Sequence, residues 1–448
     1  MDLILKENGV YLEKARKKIL VISRIGCANG FAFDMARDGH HVLFCLTKEK
    51  DRRYQEDIFD GIRNIEKIKA YSSKFPEVDI IIYDDVGYGS EQNDVRKNYP
   101  VLGGSKLGDK LELDRIAGLK YMQEKGLKVP SYYEFHSFQD AEDFVTKERK
   151  RFVMKPCGMS QDVKELTYCG KQDDGSDMIF WLHHMKEKFG DKKMEFILQE
   201  FIKGIEVAVD VWTDGEKFLK PIGINFEHKP FFPGDIGFNT GEMGTVYFHT
   251  NDKLKLYEET LAKCEEDFIK DGYVGNIDIN CIVNEEGAWV LEFTNRMGYP
   301  AISIQTQALD TDIGDFFYNL AHKNYNVLPF RTDEWQLGIV INIPPSPFWS
   351  PEIWDKLSSG LPIVNFDYNN KNIHWYDVKY DTEVKKWKVA GTLGYIAVVC
   401  GQGQTIEEAQ KMALENIKTF HIPNMYYRND IGARVIEALP KLKELGYL

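Results

Sequence analysis

Short β-branched and aromatic runs alternate with helically spaced segments over the first hundred positions. KKILVISRIG (17–26) reads as a strand closed by glycine, and GFAFDMARDG (30–39) has the spacing of a helix. HHVLFCLT (40–47) reads as a second strand, and VDIIIYDD (78–85) is an apolar run closed by acids. Strand–helix–strand alternation predicts a parallel, doubly wound sheet. The opening from Gly26 to Gly30 fits a phosphate seat at a helix start or simply a tight turn, since the full G-x-G-x-x-G is missing.

Further on the pattern changes. LGGSKLGDKLELDRIAGLKYMQEKGLKVP (102–130) predicts a turn, a helix and an exit at proline, and RFVMKP (151–156) a strand ending in lysine. FILQEFIKGIEVAVDVWTDG (196–215) reads as strand, break, strand. YVGNIDINCIVNEEGAWVLEFTNRMG (273–298) reads as a hairpin turning on Asn-Glu-Glu-Gly. The short strands QLGIVINI and TLGYIAVVCG follow, then an amphipathic helix, TIEEAQKMALENIKTF (405–420), with Thr405 at its N-cap. One stretch has no period. HKPFFPGDIGFNTGEMG (228–244) carries four glycines and predicts a loop whose N–H groups face something negative, with its Phe-Phe read as buried.

Composition narrows the class. The chain has 448 residues, 43% hydrophobic and 28% charged, with a net charge of −13. At about 150 residues per domain this predicts roughly three domains. No Lys/Arg run is long enough to track a phosphate backbone, so nucleic acid is not expected as a partner, while a small anionic ligand in a local basic pocket is compatible. Seven scattered cysteines without C-x-x-C spacing predict reduced thiols and a cytoplasmic protein. The first residues, MDLILKENGVYLEKARKK, show no apolar signal core, and no run of 18 apolar residues predicts a membrane span. The cysteines and ten histidines form no ligand or nucleophile constellation.

The hairpin carries the first chemical signal. Along IDIN, Asp278 and Asn280 share a face; along LEFTNR, Glu292 and Thr294 share one, and Asn295 points away unless a bulge turns it. Asp278 set opposite Glu292 would need a cation or a proton between the carboxylates, and hard oxygens suit Mg²⁺. The same spacing fits one salt-bridged acid and one solvent-facing acid. Lys110 at a helix start and Lys155 at a strand end fit anion contacts or surface lysines with snorkelling stems. Gln199, Glu200, Phe201 and Ile202 lie between two strands, with Glu206 just beyond.

Taken in order, these residues resemble the ATP-grasp ligases, specifically the phosphoribosylamine–glycine ligase family, over almost the whole chain. The similarity is densest at His228-Lys229, Gly234-Asp235 and Asn239-Thr240-Gly241-Glu242-Met243-Gly244, and returns in Thr405–Ala409 and YYRNDIGAR (426–434). The resemblance implies a multidomain α/β and α+β ATP-grasp fold. Residues 1–107 would form an N-terminal Rossmann-like domain, 108–330 the ATP-grasp domain with a lid at about 130–200, and 331–448 a C-terminal α+β domain. It implies ATP and Mg²⁺ (or Mn²⁺) as cofactors. Lys110 and Lys155 would hold nucleotide phosphates, Gln199–Ile202 would read adenine, and Glu206 would take the ribose hydroxyls. Asp278 and Glu292 would ligate the metal with Asn295 or Thr294, and Arg296 would act with Lys155 on the acyl phosphate. His228, Lys229, Asp235, Asn239, Thr240 and Gly241 would close over small carboxylate and amine substrates, although His228 also fits a buried, satisfied histidine. The implied reaction is carboxylate activation by ATP to an acyl phosphate, then attack by an amine to give an amide, ADP and phosphate.

Four departures from the family pattern concern mainly the acceptor side. The first glycine turn reads IGCANGFAF (25–33) in place of one with Arg-Glu-His, leaving Arg24 as a candidate replacement. Arg-Phe-Gly-Asp-Pro-Glu becomes Arg296-Met297-Gly298-Tyr299-Pro300-Ala301, Glu-x-Asn is one residue longer at Glu292–Asn295, and the segment after Lys155 is poor in glycine and expected to be stiff. The expectation is an ATP-dependent ligase with a diverged acceptor site. The alternatives are an authentic family enzyme of purine biosynthesis or a non-catalytic ATP-binding relic. Oligomeric state, monomer or homodimer, is left open.

Overall fold

The computed structural model describes residues 16–47, 56–69, 75, 77–161, 163, 166–190 and 192–448, with the backbone of two short strands at Leu3–Leu5 and Tyr11–Glu13. A first sheet of five parallel strands runs in the order Ile65–Ile68, His41–Leu46, Lys18–Ser23, Ile80–Tyr83, Val101–Leu102. Ile19–Ile22 and Ile80–Tyr83 in its middle strands are apolar and buried, as a parallel sheet covered on both faces requires. This is the doubly wound sheet that the first hundred residues predict.

A second, antiparallel sheet of four strands has the order Tyr168–Cys169, Phe152–Pro156, Phe196–Glu200, Tyr132–Phe135. Alternation gives it two unlike faces. Phe152, Met154, Phe196 and Leu198 point into a core shared with helices Phe138–Glu148 and Ser176–Phe189. Val153, Lys155, Ile197 and Gln199 occupy the opposite face, since Ile197 pairs with Lys155 and Gln199 with Val153.

The third sheet has eight antiparallel strands, ordered Gly287–Thr294, Gly275–Asn284, Ile205–Thr213, Phe218–Glu227, Gly244–Thr250, Trp335–Asn342, Tyr395–Gly403, Ile373–Trp375. It runs across residue 330, so the segment after that position shares a sheet with the strands before it. Val207, Val209, Val211, Ile277 and Ile279 face a core completed by Leu256, Leu261 and Phe268. Among the alternate positions stand Glu206 and Asp210, Asn225 and Glu227, and Asp278 and Asn280. A polar face within an otherwise buried sheet marks where the chemistry sits.

Two expectations change. The helix expected within 102–130 is two helices, Lys106–Leu113 and Arg115–Glu124, parted at Asp114, whose carboxylate caps the second through Ala117 N at 3.0 Å. The aperiodic stretch 228–244 is a small hairpin of Pro230–Phe232 and Ile236–Asn239. Its turn rests on left-handed backbone at Gly234 (φ 77°), Asp235 (φ 54°) and Gly237 (φ 90°), which hides it from periodicity. Phe232 is 47% exposed, so the Phe-Phe pair is not core as expected. Among the described residues no helix is long and apolar enough to cross a membrane.

Candidate active site

One extra residue decides which side chains meet on the hairpin. Counting from its turn, Asn284 pairs with Gly287 and Cys281 with Val290. Continued unchanged, that register would set Glu292 opposite Ile279 and in the core. Leu291 is instead a bulge, so Asn280 pairs with Glu292 and Asp278 with Thr294. Asp278, Asn280, Glu292 and Thr294 therefore share the polar face. Asp278 stands across from Thr294 and not, as expected, from Glu292; the acid paired with it is Asp210 of the neighbouring strand. The bulge precedes Glu292 and so does not turn Asn295. That residue is buried on the other side, its Nδ2 donating to Gly108 O at 3.0 Å and its N to Glu112 Oε2 at 2.5 Å. The expected ligand role of Asn295 is corrected accordingly: Thr294 holds the place beside Glu292.

Cations from four distant segments converge on this face. Lys229 Nζ lies 2.9 Å from Glu227 Oε2, 3.5 Å from Glu206 Oε1 and 3.9 Å from Glu292 Oε1. Arg115 Nη1 is 3.3 Å from Glu292 Oε2, and Arg434 Nη1 is 3.8 Å from Glu206 Oε2. Burial alone would push Glu292 up, but Lys155, Lys229 and Arg115 hold its carboxyl down at about 2. Lys155 responds oppositely. Burial drives its ammonium down to about 8, with Arg115 and Lys229 adding to the shift and Glu292 opposing it.

Asp278 and Asp210 titrate high for one shared reason. Burial raises Asp278 well above the carboxylate range, and Asp210 and Glu227 add to it. Burial likewise lifts Asp210 to about 7, although Asn276 and Asn225 donate to it. Asn225 Nδ2 donates to Asp278 Oδ2 at 2.7 Å, whereas Asp278 Oδ1 and Asn280 Oδ1 are buried without a hydrogen-bond partner. Hard, unpartnered oxygens beside an ionised Glu292 fit a Mg²⁺ that completes its shell with phosphate oxygens.

The other predicted residues fall into three groups. The segment Phe201–Gly204 joins the four-stranded sheet to the eight-stranded one, with the Arg151 guanidinium 3.3 Å from the Phe201 ring centroid. Gln199 is buried with Nε2 unpartnered, Glu200 pairs with Lys150 at 2.8 Å, Ile202 is half-buried, and Glu206 is engaged by Lys229 and Arg434. Lys110 is exposed on the helix Lys106–Leu113, in its last turn and not at its start. Arg296 Nε pairs with Glu112 at 3.1 Å and Asp85 at 3.8 Å, and lines a cavity of about 200 Å³ with Glu112, Arg115, Glu292 and Thr294.

The glycine-rich stretch is anchored more than it is open. His228 is fully buried and accepts from Gly432 N through Nε2 at 3.2 Å. Burial first, then Arg434 and Arg428, lower it to about 3, so it is neutral, and its Nδ1 is buried without a hydrogen-bond partner. Thr240 N and Oγ1 both donate to Lys229 O at 2.8 Å. Asp235 accepts from Arg428 Nη1 at 2.8 Å; Asn239 and Gly241 are exposed. Sequence reasoning missed Arg115, Glu227, Glu242, Arg428 and Arg434. The last two lie in YYRNDIGAR, a segment noticed only for its resemblance, and the apolar-then-acid ending of GINFE was a signal available for Glu227.

A four-stranded sheet bearing a lysine, joined by a short segment to a larger sheet bearing acids, is an arrangement that ATP-grasp proteins share. Residues 118–302 match the family model of the phosphoribosylglycinamide synthetase ATP-grasp (A) domain. The chain is 24% identical over 342 residues to the phosphoribosylamine–glycine ligase of Clostridium acetobutylicum, covering 75% of this chain and 79% of that protein. The crystal structure of the phosphoribosylamine–glycine ligase of Thermotoga maritima superposes with a TM-score of 0.66 at 18% identity, over 92% of this chain and 100% of that one. Biotin carboxylase of Campylobacter jejuni shares the fold, with a TM-score of 0.60 at 12% identity over 96% and 97% of the two chains. Residues 118–302 thus carry an ATP-grasp domain of this kind, and the chain resembles phosphoribosylamine–glycine ligase over about three quarters of its length.

Proposed function

We propose that the protein joins a small carboxylate to an amine at the expense of ATP, through an acyl phosphate, with an acceptor site that has diverged from that of its relatives. The observation that carries this reading is the meeting of Lys155, Lys229 and Arg115 with Glu292 at the junction of the two sheets. Phosphoryl transfer asks for alignment and charge neutralisation more than for covalent help, and such a junction supplies both. Lys155 and Lys110 would hold nucleotide phosphates, and the Gln199–Ile202 segment would receive adenine. Glu206 reaches the ribose only by sharing itself with Lys229 and Arg434. Asp278, Glu292 and Thr294 would hold Mg²⁺, which neutralises phosphate charge when bound. Arg296, freed in part from Glu112, would meet the acyl phosphate, and the hairpin with Asp235, Asn239, Thr240 and Gly241 would border the substrates. The scattered cysteines support a cytoplasmic setting.

The test is a paired substitution. Glu292→Gln and Lys155→Met should each lower ADP release from Mg-ATP at least a hundredfold while the melting transition stays cooperative. Unchanged release in Glu292→Gln would remove the metal assignment, and unchanged release in Lys155→Met the phosphate assignment.

A further inference from the structure

The hairpin of Pro230–Phe232 and Ile236–Asn239 belongs to no larger sheet: its strands pair with each other and, among the described residues, with no third strand. All four positions of Ile236–Asn239 are exposed, and none is charged or a proline, so this edge lacks the features that keep strand edges from pairing with another chain. The hairpin is nevertheless held firmly. Arg428 Nη1 donates to Pro230 O at 2.9 Å and to Asp235 Oδ1 at 2.8 Å, and Gly234 N donates to Asp430 Oδ2 at 2.7 Å.

A row of aromatic rings runs outwards from it. Phe231 stacks on Phe238 with ring centroids 5.1 Å apart, and Phe238 meets Phe348 at 4.8 Å. Trp349 follows, its Nε1 donating to Thr392 Oγ1 at 3.3 Å. Helix Pro351–Leu357 then buries Trp354 and turns Ile353 and Leu357, four residues apart, to the outside. The rings of Phe232, Phe238, Phe348 and Trp349, like Ile236, Ile353 and Leu357, are between 40% and 63% exposed. At about 200 Å² per large side chain they leave roughly 650 Å² of apolar surface open, beyond the roughly 300–600 Å² of the largest patch on an ordinary monomer. With a polar rim, about a third of a homodimer interface, the area passes the ~800 Å² per partner that a stable interface buries.

Charge selects the occupant. The chain carries −13 overall, so most of its surface repels a second copy. The patch does not. Residues 230–239 and 348–357 hold three acids and one lysine, with Arg428 and Arg434 set against Asp235 and Lys356 against Glu352. A nearly neutral apolar surface with an open strand edge attracts neither a polyanion nor a polycation. It is complementary to itself, because a strand pairs antiparallel with its own copy about a twofold axis. We propose that the protein is a homodimer in which this patch closes on the same patch of a second copy, the two Ile236–Asn239 edges antiparallel across the axis.

Sedimentation velocity of the full chain across the micromolar range tests this. The 51.8 kDa chain should sediment as a species of twice that mass. Ile236→Lys and Phe348→Ser, both at exposed positions, should each weaken association at least tenfold, whereas Phe180→Ser, exposed on helix Ser176–Phe189, should leave it unchanged. A monomer at every concentration overturns the proposal, and its flotation with phosphatidylcholine vesicles would assign the patch to a lipid surface instead. A dimer that neither patch variant weakens has its interface elsewhere and overturns the proposal equally. Equal weakening by Phe180→Ser is indiscriminate apolar association and also overturns it. Melting curves exclude misfolding, and Phe348→Ser is the second variant should Ile236→Lys not fold.

Discussion

Burial lowers the Lys155 ammonium to about 8, so the charge proposed to meet nucleotide phosphates would be lost in the mildly alkaline range. Its folded pKa is depressed, which means it is protonated below about 8 and neutral above. The value of kcat/KM for ATP should therefore fall as pH rises through about 8, while kcat, which reports the nucleotide complex, should hold to higher pH. Glu292 stays ionised throughout this window and adds no second step. A profile flat to pH 10 would exclude Lys155 as the phosphate partner. Asn295 supplies a contrasting prediction. With Nδ2 on Gly108 O and its back to the polar face, Asn295→Ala should cost about 1 kcal/mol of stability and leave the Mg²⁺ dependence of turnover unchanged. A tenfold rise in the Mg²⁺ requirement would contradict the bulge placement. Lys155, Asp278 and Glu292 stood out because strand ends and alternation mark them, whereas Lys229 stood out only through the resemblance. Arg115 and Arg434 were not, since each reaches the site from a helix remote in sequence.

At the scale of elements, the bulge at Leu291 is the device that makes the site. Period-two reasoning recognised both strands and placed Asp278 with Asn280, but a register slip of one residue flips every later side chain, and nothing in LEFTNR announces it. The glycine-rich hairpin escaped for a related reason: its left-handed turn residues break periodicity, and its strands are only three and four residues long. The helix Ile406–Ile417 was legible at its start, where Thr405 caps it and forms a reciprocal box with Glu408, although it ends three residues before the expected position 420. Thr405→Ala should lower stability by about 1 kcal/mol, read by chemical denaturation, with no change in nucleotide binding. A loss well above 2 kcal/mol would mean that the cap also supports the sheet it packs on.

At the scale of the whole molecule, three sheets divide the work. The parallel sheet was legible from its continuous apolar strands, and the four-stranded sheet only in its strands Phe152–Pro156 and Phe196–Glu200. The eight-stranded sheet was not, because its strands come from segments up to about two hundred residues apart and include Phe218–Glu227 and Gly244–Thr250, which sequence patterning left unassigned. Lys155 and Glu292 stand on different sheets, so a nucleotide bound between them would couple the two, and the proposed reaction activates the carboxylate there as an acyl phosphate. The most telling measurement incubates the purified protein with Mg-ATP, a panel of amines and amino acids carrying ¹⁸O in the carboxylate, then reads the isotope in the inorganic phosphate released. One ¹⁸O per phosphate is the predicted result. Phosphate whose new oxygen comes only from water, or no ADP-forming turnover with any pair, would contradict the account.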